Sequence, residues 1–462
     1  MEAFDNKSQQ DPTQAAAADP TRSSDGDQAN KSKGSSKQGS ELEKSLNASL
    51  PADESQKLQS KPDDHDHAPT VGSFQFHVDL NQVASARELD GGKVARETNL
   101  RDDFGSKGDY LNPKEGNNVV IGSGDSDVIR GTGGGFNTVT TGTGKDTIIL
   151  GKETTNRVLD FDPNNDRFVL QENLNPKNII IAQGKNPGKG GLEQPLDSVN
   201  NALVIDKNSQ HILAALPFVK ISDISEKNFA RNSDEADKSL QNLKDIGFKS
   251  QKGDGKLTGT QGHDRLVGGG GDDFLYVGDD GFKTNTAKGS GATEFPFKVD
   301  DTRGTTELNT ELKNGVLKVN GNYKDLEAAP LFSKGEKEID PKAKILNGSD
   351  PKALIDGFLK VPKDVEGNQI SGTHLHFSPS GDNRGSFADA TVVRYFTNTP
   401  TDDRSGTISG EFELTPTEQA AFLAGDLYAN LHTNIDGDGD GKAGFPTGEN
   451  RINFNRDVVQ FT

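Results

Sequence analysis

Carboxylates and amides recur at a fixed distance ahead of one apolar residue in two tracts of this chain. In the first, residues 113–121 read PKEGNNVVI, 122–130 GSGDSDVIR, 131–140 GTGGGFNTVT and 141–149 TGTGKDTII. Asn118, Asp127, Asn137 and Asp146 stand two places before Val120, Ile129, Val139 and Ile148 respectively. In the second tract, residues 250–258 read SQKGDGKLT, 259–267 GTQGHDRLV and 268–276 GGGGDDFLY. Asp264 and Asp273 precede Leu266 and Leu275 there, whereas Gly255 leaves the Leu257 unit without an acid. Stacking such units brings like charges together, and like charges repel. A cation between them removes the conflict. An all-oxygen set of Asp carboxylates and turn carbonyls suits Ca²⁺, while Mg²⁺ demands a stricter octahedron and keeps more water.

Two further sets carry metal-binding chemistry. Asp436, Asp438 and Asp440 alternate with glycine in DGDGDG, as in the first half of an EF-hand-type loop, and Glu449 stands two places beyond the twelfth position, which Thr447 occupies. With no flanking helices, a single Ca²⁺ loop between strands is expected. His374 and His376 are two apart on a predicted strand, so both face one side about 7 Å apart. His432 lies on another predicted strand. If the strands are neighbours, the three imidazoles can hold Zn²⁺ or Cu²⁺. The alternative is a set of structural histidines hydrogen-bonded within the domain.

The elements that position these groups follow from the same spacing. A glycine-rich half makes a tight turn, and the three or four residues after it form a short strand with one inward side chain. One unit buries almost nothing, so units must stack, and folding is expected to be coupled to ion binding. Composition agrees. The 462 residues carry 52 basic and 71 acidic side chains, a net charge of −19, which disfavours nucleic acid and anionic membranes as partners. Only 30% are hydrophobic, 53 are glycine, and there is no Cys, which excludes disulfides, thiolate metal sites and a cysteine nucleophile. No apolar run reaches the length of a membrane span, and no secretory signal pattern opens the chain. Residues 1–70, with five large apolar side chains, read as a disordered tail.

The nonapeptides resemble the hemolysin-type, or RTX, calcium-binding repeat GGxGxDxUx, which Gly268 to Tyr276 fits at every defined position. The departures are Asp125 in place of a glycine, Asn for Asp at 118 and 137, and Gly255 for the acid. The resemblance implies a parallel β-roll with Ca²⁺ in its turns, followed by a strand-rich flank such as residues 201–229. It also implies one-step, type I-like export without an N-terminal signal. Beyond residue 300, GTHLHFSPSGDNRG (372–385), GTISGEFELT (406–415) and FLAGDLYANLHT (422–433) resemble the CHRD domain of exported bacterial proteins, and the regular short strands point to an antiparallel β-sandwich.

The expected architecture is therefore all-β. It comprises the tail, a lead-in (71–112), a roll with its flank (113–230), a linker (231–249), a second repeat tract (250–282), another linker (283–300) and a CHRD-like sandwich (301–462). The linker reads as helical, with Leu240, Leu243 and Ile246 on one face; TPTEQAAFLA (415–424) reads as a short helix capped by Thr415 and stopped by Gly425. The expected function is non-catalytic: an extracellular calcium-binding surface or matrix protein with cell-surface or matrix partners. The alternatives are a Cu/Zn oxidoreductase or metal carrier using His374, His376 and His432, and an adhesion or carbohydrate-binding module. Spacing singles out no catalytic triad or carboxylate pair.

Overall fold

The computed structural model describes residues 74–186, 195–277, 282–294, 299, 302–327, 330–331, 354–355, 358–359, 371–377, 392–402, 404–433, 435, 448–456 and 458–461. The tail and Asp436, Asp438 and Asp440 lie outside them. The described chain is mostly β, with two short α-helices, Asp234–Ser239 and Pro416–Ala424.

Successive short strands alternate between two sheets, and each pairs in parallel with the strand one full coil away. One sheet runs Lys249–Gly253, Asp264–Gly268, Tyr110–Asn112, Val128–Gly131, Thr147–Leu150, Arg167–Leu170. The other runs Lys256–Thr258, Phe274–Tyr276, Asn117–Ile121, Gly135–Thr140, Thr154–Val158. The repeating apolar residue of each unit points between the sheets: Val120, Ile129, Val139, Ile148, Leu266 and Leu275 share one core with Leu111, Val158 and Phe168. Leu257, in an edge strand, is half-buried.

The two repeat tracts belong to the same pair of sheets. Leu266 pairs with Leu111 and Leu275 with Val120, so the later tract stacks beneath the start of the earlier one. The intervening segment makes this return possible and packs on the coil. Leu240, Leu243, Phe248 and Ala236 cover the outer side chains Tyr110, Val128, Ile149 and Val169. Its helix is confined to Asp234–Ser239, a 3-10 turn follows at Leu243–Ile246, and Ile246 faces solvent. At the other end, Ile179–Gln183, Asn201–Asp206 and His211–Pro217, antiparallel to one another, extend the second sheet through a parallel pairing of His211–Pro217 with Thr154–Val158, and Phe229–Arg231 adds a parallel strand to the first.

Toward the C-terminus a single nine-stranded antiparallel sheet curls until it nearly closes, like a barrel. Its two edge strands, Val392–Tyr395 and Thr397–Pro400, are consecutive in the chain, separated by Phe396 alone. Ala287–Ser290, in a segment read from sequence as a linker, is one of its strands. The helix Pro416–Ala424 begins with the expected capping box, in which the Thr415 hydroxyl accepts from the Glu418 N–H and Glu418 accepts from the Thr415 N–H; it ends at Gly425 with φ +82°. This helix closes the core and docks on the coil. Val119, Ile121, Phe274 and Tyr276 pack into the same cluster as Ala420, Phe422 and Phe454, and the Thr140 hydroxyl donates to the Ala420 carbonyl at 2.7 Å. Strand Asn117–Ile121 is thus buried on both faces, which is why NNVVI lacks alternation.

Candidate functional site

The turn residues singled out by spacing fall into two rows, one along each edge of the coil, because stacked neighbours are two nonapeptides apart. The first row is made of aspartates. The Asp264 N–H donates to Asp109 Oδ1 (2.6 Å), the Asp109 N–H to Asp127 Oδ1 (2.6 Å), the Asp127 N–H to Asp146 Oδ1 (2.9 Å), and the Asp146 N–H to Asp166 Oδ1 (3.1 Å). All five are buried. The other oxygen of an aspartate in this coil turns back to an N–H four residues earlier: Ser123 for Asp127, Thr260 for Asp264 and Asp162 for Asp166.

Asp146 breaks this pattern. Its counterpart donor, the Gly142 N–H, is taken by Asp160 Oδ2 at 2.9 Å, and the Thr141 N–H by Asp160 Oδ1 at 2.8 Å. Asp146 Oδ2 is left buried with no hydrogen-bond partner. Burial pushes the carboxyls of Asp127 and Asp166 up to about 7, against the N–H donors that hold them down. Asp146 is raised well above the usual carboxylate range by burial, with the charges of Asp166, Asp127 and Asp160 adding to it.

The second row is made of amides. The Asp273 N–H donates to Asn118 Oδ1, Asn118 Nδ2 to Asn137 Oδ1, and Asn137 Nδ2 to Asn156 Oδ1, each at 2.9 Å. Asn156 Nδ2 ends the row on the carbonyls of Gly131 and Leu213. Asn118 Oδ1 and Asn137 Oδ1, the oxygens a turn-ligand role assigns to an ion, each accept one protein donor here. Asp273 caps the row and accepts from the Gly255 and Gly269 N–H groups. Asp109, Asn156 and Asp166 were not among the sequence-derived ligands. The signal that finds them is spacing near 19 residues, as in Asn118, Asn137, Asn156, rather than nine.

The departure at Asp125 also has a local cause. Its carboxylate lies over Gly105, where a Cβ would meet Oδ1 at 1.5 Å, and it accepts from the Ser106 hydroxyl and the Lys107 N–H. Burial raises this carboxyl, but the Ser126 and Lys107 N–H groups outweigh burial and hold it below its ordinary value.

In the curled sheet, strand Thr373–Phe377 pairs with Leu427–Leu431, setting His374 opposite Asn430 and His376 opposite Tyr428; His432 follows directly. The three imidazoles converge, with one nitrogen of each lying within 4.8 Å of the others. His374 Nε2 and His432 Nε2 are 3.3 Å apart, and His374 Nδ1 lies 3.3 Å from the Ser371 carbonyl. His374 and His432 are 2% and 1% exposed, His376 8%. Burial lowers His374 to about 4, the Ser371 carbonyl only partly opposing it, so the ring is neutral at neutral pH. Among the described residues no three carboxylates converge as closely.

Glu449 is buried. It accepts from the Thr433 hydroxyl at 2.5 Å and from the Glu327 N–H at 3.0 Å, and burial pushes it up to about 6. His211 is buried, and its Nε2 lies 3.1 Å from the Thr155 hydroxyl.

No protein-family model, curated protein or solved structure matches this chain. No described helix is long and apolar enough to cross a membrane.

Proposed function

We propose that this chain is a non-catalytic, calcium-binding surface or matrix protein of the extracellular space. In this reading the two parallel sheets are an RTX-type β-roll and the curled antiparallel sheet is the CHRD-like domain, with type I-like export. The observation that carries it is the buried aspartate row with its orphaned oxygen, Asp146 Oδ2. A carboxylate in such a place is kept either by a proton or by a cation, since an uncompensated buried charge is too costly. Outside the cell near neutral pH, with calcium at the millimolar levels that extracellular modules are tuned to, the cation is the better partner.

The donors fit. Asp146 Oδ2, buried between the rungs of Asp127 and Asp166 with no protein donor, is a hard oxygen of the kind Ca²⁺ takes. The Asn118 and Asn137 oxygens each already accept a protein donor, so in this reading the orphaned oxygen of the aspartate edge is the leading calcium ligand. Bound calcium supplies positive charge that lets the aspartates ionise together, and folding of the coil is then linked to its binding. The DGDGDG loop is a separate calcium site in the same reading.

Calorimetric titration of calcium into the EGTA-treated chain, followed in parallel by circular dichroism, tests this. Saturable binding accompanied by a gain of β signal is expected. An unchanged spectrum and no binding heat would sink the reading.

A further inference from the structure

We propose that His374, His376 and His432 form a site for one tetrahedral Zn²⁺ ion, separate from the calcium sites and independent of whether the calcium reading holds. The roll leaves these residues unused, and the curled sheet brings them together from positions almost sixty residues apart in the chain.

Four observations point to a metal ion. First, the ligand set is three imidazoles at one place in a protein interior, which suits zinc and copper rather than calcium or magnesium. Second, the separation of two donors matches a coordination edge. Two nitrogens bound at about 2.0–2.1 Å in a tetrahedron lie roughly 3.3 Å apart, whereas cis nitrogens of a square plane lie roughly 2.8 Å apart. His374 Nε2 and His432 Nε2 are 3.3 Å apart, which favours the tetrahedral ion over square-planar Cu²⁺.

Third, the tautomer is set for coordination. The Ser371 carbonyl can only accept, so His374 Nδ1 carries the proton there and Nε2 presents its lone pair toward His432. A metal-bound histidine is commonly held this way, through its other nitrogen by a backbone carbonyl. Fourth, the rings are fixed by their surroundings. His376 stacks on Tyr428 with centroids 4.7 Å apart and planes 16° apart, and the Arg451 guanidinium covers the ring of Tyr428 at 3.6 Å. The strand carrying both histidines has a register irregularity between Leu375 and His376, which departs from regular pleating; their ring centroids are 4.5 Å apart.

His376 supplies the third ligand, one of its nitrogens lying within 4.8 Å of those of His374 and His432. The fourth position is left to water or a small anion, as in zinc sites that have three protein ligands.

The rival explanation is a metal-free trio in which one Nε2–H donates to the facing Nε2. The two are separated with the full chain kept in saturating calcium, stripped of transition metals by a zinc-selective chelator and titrated with Co²⁺. One equivalent should bind with the intense visible absorption of a tetrahedral cobalt site, and Zn²⁺ should abolish that band stoichiometrically.

His374→Gln and His432→Gln should each weaken Co²⁺ binding by roughly tenfold or more, while His211→Gln, a buried histidine of the other sheet system, should leave it unchanged. Melting curves and far-ultraviolet spectra check that the variants fold. If one fails to fold, the wild-type stoichiometry and band shape still decide. Uptake below about a tenth of an equivalent overturns the site, as does a weak octahedral spectrum or a band that survives the triple His→Gln variant.

Discussion

The two edges of the coil are built from the same kind of turn and differ in the side-chain group that most rungs carry, amide on one and carboxylate on the other. On one edge the amides of Asn118, Asn137 and Asn156 donate to and accept from one another, so a buried polar row is complete without any other partner. On the other, the side chains of Asp109, Asp127, Asp146 and Asp166 can only accept when ionised, and the links between rungs are made by backbone N–H groups. An amide carries both halves of a hydrogen bond and can propagate a row; a carboxylate carries one half and a charge, so a row of them needs protons or cations. Repeat stacking alone therefore does not make a calcium site. The choice of Asn or Asp at one position decides whether a turn completes its own hydrogen bonds or needs a proton or a cation.

That contrast breaks most decisively if calcium removal leaves the coil intact. EGTA is expected to abolish or sharply lower the main unfolding transition in calorimetry, and an unmoved transition would mean the aspartate row stands by itself. Next in size is Asn137→Asp, which puts a charge where the Asn156 amide oxygen faces it. A loss of about 3–5 kcal/mol in urea unfolding is expected without calcium. A neutral outcome would show that the amide row is not what holds that edge.

Asp146→Asn should do the reverse, stabilising the calcium-free chain by about 1–3 kcal/mol by relieving the orphaned oxygen, and reducing the calcium bound in titration. Equal calcium uptake by this variant would move the site elsewhere in the row. The most gradual effect is that of pH. Asp127 and Asp166 are raised to about 7 in the folded state from 3.8, so the stability they confer is complete below about pH 4 and is lost as pH rises through about 7. In EGTA the melting temperature should fall as pH rises across that window. Saturating calcium should flatten the slope. A calcium-free chain whose stability rises with pH would place the protons elsewhere.

Much of this was legible in the residues. The nine-residue period located the turns, and the apolar position two places after each acid is the core position observed. The Thr415 capping box and Gly425 marked a helix correctly because capping is local chemistry. Other features were not legible. Residues 283–300 read as a linker because AKGS at Ala287–Ser290 has no strand signature; it is a strand only because neighbours on both sides supply its hydrogen bonds. Expected sandwich strands join instead into one curled sheet, since pairing order depends on which edges meet, and that is not written in any one strand. Asp109 and Asn156 were missed because the period that matters for stacking is twice the one that is visible.

By itself the sequence determined the local units of this protein: where turns form, which side chain faces inward, and which turns carry charge. Glycine placement and alternation act over a few residues, and they are strong enough there. Only the tertiary structure decided which units are neighbours. The second tract returns beneath the first, aligning Asp264 with Asp109 and Asp273 with Asn118, each 155 residues apart, and His432 comes to lie against His374. Those partnerships arise from burying whole sheet faces and from closing a curled sheet on itself. The free energy for that is shared over many side chains, and no short stretch of residues encodes it.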